Sequence, residues 1–157
     1  MDLTPYQLSE SVTIAASPEA VYDLVADITR MGEWSPVCTS AVWDDDEHIW
    51  FSGTNTTPER TWTTKCRVEV AERGKEFTFV NCGMAGDTEL VRWSYTFEPD
   101  GAGTKVTEHW KVLDGYPTFM ASVAPGMDVA QYLDGVKPNT QQSIQQTLAN
   151  LKAAAER

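Results

Sequence analysis

Basic residues are scarce in this chain. Twelve lysines and arginines stand against 23 aspartates and glutamates, a formal net charge of −11 at pH 7. A protein that neutralises phosphates needs a basic face, so nucleic acid is not an expected partner. The same sign disfavours docking on anionic membranes. Long apolar runs are also lacking. No stretch approaches the roughly 18 residues of a membrane-spanning helix, and Met1–Glu10 shows no basic-then-apolar leader. Membrane insertion is not expected, and the cytoplasm is the expected location. Only three cysteines occur, Cys38, Cys66 and Cys82. An odd count without a secretion signal reads as free buried thiols. These cysteines, His48 and His109 form no C-x-x-C or H-x-x-x-H spacing, so no metal site is expected. A glycine-rich phosphate loop is missing too. Gly101-Ala102-Gly103 joins two strands rather than a strand and a helix, and no nucleotide or other cofactor is indicated. Repeats and linkers are absent, which leaves residues 1–157 as a single domain.

What is present is enough for a core. The chain has 157 residues, 41% of them hydrophobic and 10% aromatic. That is one domain by size, too apolar for a disordered chain. A chain of this length buries about 68–70% of its unfolded surface, so it needs no disulfide or metal.

Period-two alternation dominates the pattern. Leu8, Glu10, Val12 and Ile14 share one side of a first strand. Ser17-Pro18-Glu19 then supplies an N-cap, a first-turn proline and an acidic residue for the positive helix end. Val21, Leu24, Val25 and Ile28 form one apolar helix face, and Asp27–Trp34 reads as a second short helix or turn. Val37–Trp43 and Ile49–Gly53 read as strands around the acidic turn Asp44–Glu47. Trp62, Thr64, Cys66, Val68 and Val70 give the cleanest strand signal. Phe77 and Phe79 open another, and Val91, Trp93, Tyr95 and Phe97 a further one. Val106, Glu108, Trp110 and Val112 complete the last. Asn81–Asp87 is a glycine-containing connection. Gly115–Gly135 is mixed, rich in Pro, Gly and Met. Asn139–Arg157 is helical, with Pro138 fitting its first turn.

The expected fold class is α+β. Hairpin connections imply an antiparallel sheet, whose apolar face must be covered. The final helix is the available cover, and the space between helix and sheet is where a ligand fits.

Four segments carry a resemblance. They are Val12–Tyr22, Asp27–Pro36, Gly103–Glu108 and Thr147–Lys152. The chain resembles the START-like helix-grip superfamily, in particular its polyketide cyclase/dehydrase and lipid-transport (SRPBCC) branch, over nearly its whole length. That resemblance implies a curved antiparallel sheet of six or seven strands around a long C-terminal helix, with two short helices after the first strand. It also implies binding of a small hydrophobic ligand such as a lipid, hormone or polyketide, or cyclisation and dehydration in some members. Fold does not transmit function, which lives in the residues of the site.

Glu108 is the candidate for chemistry. It shares a face with Val106, Trp110 and Val112, and desolvation there raises a carboxyl pKa toward acid/base use. The competing reading is a carboxylate paired with a cationic or hydroxyl neighbour that fixes the sheet. Glu10 has a similar position at a wetter strand end and reads as a surface-edge carboxylate. Arg92 and His109 fall on the opposite face, so no Glu108–His109 dyad is expected. Trp62, Cys66, Trp93, Tyr95 and Trp110 are candidate cavity residues, with indole N–H and phenol O–H as fixed polar points. Met84, Met120 and Met127 join them as adaptable thioethers, or else cap the core. Two classes of function remain. One is a binding module for a small apolar or aromatic molecule. The other is a cyclase or dehydratase using Glu108. A partner-binding protein with a filled cavity is a third possibility, as either monomer or homodimer.

Overall fold

The structure, a computed structural model, describes residues 1–157. Strand β1 (Gln7–Ile14) leads into helix α1 (Pro18–Ala26) and a 3₁₀ helix (Ile28–Glu33). Six strands follow: β2 (Cys38–Trp43), β3 (Trp50–Thr56), β4 (Thr61–Glu72), β5 (Glu76–Asn81), β6 (Val91–Asp100) and β7 (Gly103–Val112). Helices α2 (Gly115–Val123) and α3 (Val129–Ala155) close the chain. The strands form one antiparallel sheet in the order β1-β7-β6-β5-β4-β3-β2. Consecutive strands pair as hairpins, except that β1 returns to lie beside β7. This is the expected α+β helix-grip arrangement. No helix is long and apolar enough to cross a membrane.

Local chemistry accounts for the elements. The Ser17 hydroxyl caps α1 by accepting from the Ala20 amide at 3.2 Å. Asp27 does the same for the 3₁₀ helix through the Thr29 amide. Gly32 lets that helix approach β2, since a Cβ there would lie 2.2 Å from the Thr39 carbonyl oxygen. Register shifts between Cys38 and Ser40, on the edge strand β2, and between Val68 and Val70, on the interior strand β4, bend those strands. On the inner face, Phe51 meets Phe79 edge-on at 5.1 Å, and Tyr22 of α1 meets Phe97 edge-on at 5.6 Å. Such contacts add about 0.5–1.5 kcal/mol each to burial.

The last helix starts earlier than the sequence pattern predicts. Helix α3 begins at Val129, capped by the Asp128 carboxylate on the Gln131 amide at 3.0 Å. Pro138 therefore lies inside it rather than in its first turn. A proline there removes one helical hydrogen bond. Tertiary anchors hold the earlier turns instead. Leu133 is fully buried, the Tyr6 hydroxyl donates to Asp134 Oδ1 at 2.8 Å, and Lys137 donates to the Pro5 carbonyl. Farther along, Asn150 donates to the Trp34 carbonyl and Lys152 to that of Thr13. The mixed segment Gly115–Gly135 is likewise more regular than expected, because it contains α2 and the first turns of α3.

Candidate ligand cavity

Between α3 and the sheet lies a cavity of about 520 Å³. Its position follows from the helix. The buried side chains of α3 are Leu133, Ile144, Thr147, Leu148 and Leu151, so the stretch between Leu133 and Ile144 has none. Ten residues at 1.5 Å rise cover about 15 Å of helix that does not seal onto the sheet. Val136, Asn139, Thr140 and Ser143 of this stretch form the cavity roof. The floor and walls come from the inner faces of β2 to β7, including Cys38, Phe51, Gly53, Thr64, Phe79, Trp93 and Tyr95. Gly53 matters here because its missing side chain leaves room. A Cβ would touch only Cys38 Sγ at 3.4 Å and Thr64 Oγ1 at 3.7 Å.

Glu108 on β7 is 3% exposed and borders this space. Tyr95 stands directly opposite on β6, and its hydroxyl donates to Glu108 Oε1 at 2.8 Å. The other oxygen, Oε2, is buried and has no hydrogen-bond partner in the protein. Burial pushes the Glu108 pKa up to about 8, against the smaller lowering effect of the Tyr95 hydrogen bond. The carboxyl is therefore mostly neutral at pH 7. With Oε1 accepting from Tyr95, the proton belongs on Oε2, making it a donor. Burial, with Glu108 beside it, holds the Tyr95 phenol well above its ordinary range. The thiols are quiet for the same reason: burial pushes Cys66 up to about 12 and raises Cys38. Glu10, the β1 partner of Glu108, is half-buried and accepts from Gln141 at 2.8 Å.

The mouth is formed by the β3–β4 hairpin and the start of α3. Thr57, Glu59, Arg60 and Trp62 face Tyr132 and Val136 there. The Arg60 guanidinium lies 4.4 Å from the centroid of the Trp62 ring.

Comparisons with known proteins bear on this architecture. The family described as polyketide cyclase / dehydrase and lipid transport matches residues 6–156. The chain belongs to this family. It is 36% identical to the polyketide-cyclase-like protein Cgl2372 from Corynebacterium glutamicum, with a TM-score of 0.66, over 94% of this chain and 89% of that one. A START superfamily protein from Mycobacterium smegmatis has a TM-score of 0.71 at 15% identity, over 96% and 97% of the two chains. The di-domain ARO/CYC StfQ from the steffimycin biosynthetic pathway has a TM-score of 0.74 at 16% identity. The match there takes 96% of this chain and 50% of StfQ, so the family member spans half of that protein. Likenesses at such low identity show the fold. No curated protein matches the sequence.

Within this family member, the structure gathers only part of the residue set expected from sequence. Trp62, Cys66, Trp93, Tyr95 and Glu108 border the cavity. Trp110 does not: it is 3% exposed and packed in the core beside Glu108. The alternation places it on the inner face correctly, but at its level the sheet is already filled. The three methionines also lie outside the lining. Met84 is 66% exposed in the β5–β6 connection, Met120 is part of α2, and Met127 is 36% exposed before α3. His109 and Arg92 face outward as expected. His109 contacts Ser9 and Thr96, and Arg92 pairs with Glu69. No group of three or more His, Cys, Asp and Glu side chains is placed to hold a metal ion.

Sequence reading missed the roof and, apart from Trp62, the mouth. The roof had a signal: Tyr132, Val136, Asn139, Thr140, Ser143 and Thr147 recur at helical spacing. It was obscured by starting the helix at Asn139 and following only its apolar stripe. Arg60 had no local signal, because its role depends on stacking over Trp62.

Proposed function

We propose that the protein binds a small, largely apolar molecule carrying a hydrogen-bond acceptor, held between sheet and α3. The observation that carries this reading is the unpartnered Glu108 Oε2. A buried donor without a partner costs about 1–3 kcal/mol, and a ligand oxygen at that point recovers it. Phe79, Trp93 and Ile144 supply apolar walls that match the body of such a molecule. The family description, naming both catalysis and lipid transport, supports ligand handling in general.

A second reading is catalytic. A carboxyl that titrates near 8 suits a general acid at neutral pH. It lacks a counterpart. The nearest group, Tyr95, is held protonated, and the other charged residues of the lining, Glu59 and Arg60, belong to the mouth. Binding is therefore the better-supported reading. A cavity filled by side chains fits poorly with a volume of about 520 Å³.

The test compares fluorenone with fluorene, which differ by one carbonyl oxygen. At pH 7 the preference for fluorenone is expected to be about tenfold greater in the wild type than in Glu108→Leu. Equal preference in both proteins removes Glu108 from ligand recognition. Native against denaturing mass spectrometry of the gently purified protein would identify any retained molecule.

A further inference from the structure

We infer that the ligand is an elongated amphipathic carboxylic acid, its carboxylate held by Arg60 at the mouth and an oxygen at its far end held by Glu108. This rests on the binding function proposed above and adds the class and orientation of the molecule.

In a chain so short of cations, Arg30, Lys65, Arg67, Arg73, Lys75, Arg92 and Lys152 all sit in ion pairs with carboxylates. Arg60, Lys105, Lys111, Lys137 and Arg157 sit in none of them, and of these five only Arg60 borders the cavity, with Glu59 beside it. Its guanidinium instead stacks over the Trp62 ring. Stacking immobilises the plane and leaves its edge donors free, the arrangement that suits a bidentate carboxylate. A single arginine beside Glu59 on a protein of net charge −11 favours a monoanion over a phosphate.

The second anchor lies elsewhere. Trp62 is on β4 and Glu108 on β7, three strands away, which is about 14 Å along the sheet at roughly 4.8 Å per strand. Their offset along the strands is the larger component: Glu108 is level with Tyr95, Phe77 and then Ala71, nine residues beyond Trp62 on β4, which is roughly 30 Å of strand before the curvature of the sheet draws the two ends together. A single ring cannot reach both groups. An elongated molecule can, with its apolar body along Phe79 and Trp93. Orientation follows from desolvation. The charged end stays at the wet mouth, because burying it beside Glu108 would leave a carboxylate without a cation. The uncharged oxygen goes deep, where the neutral carboxyl can donate to it.

The experiment is displacement of N-phenylnaphthylamine fluorescence at pH 7 by four probes: palmitic acid, ω-hydroxypalmitic acid and the methyl ester of each. The wild type should take each acid about fivefold better than its ester, and each hydroxylated probe better than its parent. Arg60→Gln should bring the acid-to-ester ratio to about one. Glu108→Leu should abolish the hydroxyl advantage. An acid-to-ester ratio that Arg60→Gln leaves intact, or a hydroxyl advantage that Glu108→Leu leaves intact, overturns this inference while the cavity reading stands. Failure of N-phenylnaphthylamine itself to bind overturns the cavity reading. Far-UV circular dichroism confirms that each variant is folded.

Discussion

Replacing Glu108 by glutamine should change how stability depends on pH. In the folded protein this carboxyl titrates near 8 because it is buried; its ordinary value is 4.5. Between those values the folded state holds a proton that the unfolded state has released. Stability from this group is therefore fully present below pH 4.5 and declines as pH rises, levelling off once the folded carboxyl ionises near 8. At about 1.4 kcal/mol per pH unit, the interval from pH 5 to pH 8 corresponds to a loss of about 4 kcal/mol. That is a large share of the roughly 5–15 kcal/mol that keeps a domain folded. His109 works in the opposite direction. Burial lowers its pKa from 6.5, so its contribution improves as pH rises toward that value. Carboxylates lowered by arginines, such as Glu69 and Asp23, act only at more acidic pH. All of these are shared by Glu108→Gln and cancel in the difference. Urea unfolding followed by tryptophan fluorescence, at intervals from pH 5 to pH 8.5, measures it. The wild type should lose about 4 kcal/mol relative to Glu108→Gln across that range. Parallel profiles within about 1 kcal/mol would refute a desolvated Glu108.

Tyr95→Phe removes the hydrogen bond that holds Glu108 Oε1 and partly lowers its pKa. Urea melts at pH 7 and 9 should show a cost of about 1–3 kcal/mol and a decline that continues to higher pH than in the wild type; no change at pH 7 would contradict the bond. Gly53→Val places methyl groups into the cavity at a position without positive φ. N-phenylnaphthylamine affinity should fall by about tenfold or more, with stability held within about 1 kcal/mol; undiminished affinity would mean the probe binds elsewhere. Cys38, Cys66 and Cys82 are buried with raised pKa values. Ellman's reagent at pH 8 should react with them only at the rate of unfolding, and a rapid phase would reveal an exposed thiol.

Much of this protein is legible along its chain. Alternation over Thr61–Val70, Val91–Phe97 and Val106–Val112 identifies strands, because a pleat sends neighbouring side chains to opposite faces. The Ser17 cap marks the start of α1, and the hairpin turns dictate antiparallel neighbours. From these, the inward position of Glu108 and the outward position of His109 follow without coordinates. The limits of the site are another matter. Trp62 and Trp110 carry the same alternation signal, yet one borders the cavity and the other fills the core. The difference depends on where α3 crosses the sheet. That crossing is set by distant contacts: Tyr6 to Asp134, Lys137 to Pro5 and Asn150 to Trp34. The same helix runs back to Val129 through Pro138. Period and turn chemistry are local, so the sequence by itself determined the strands, their faces and the helix-grip order. Whether an inward face meets another side chain or a cavity is a relation between remote segments, and only the tertiary structure decided that.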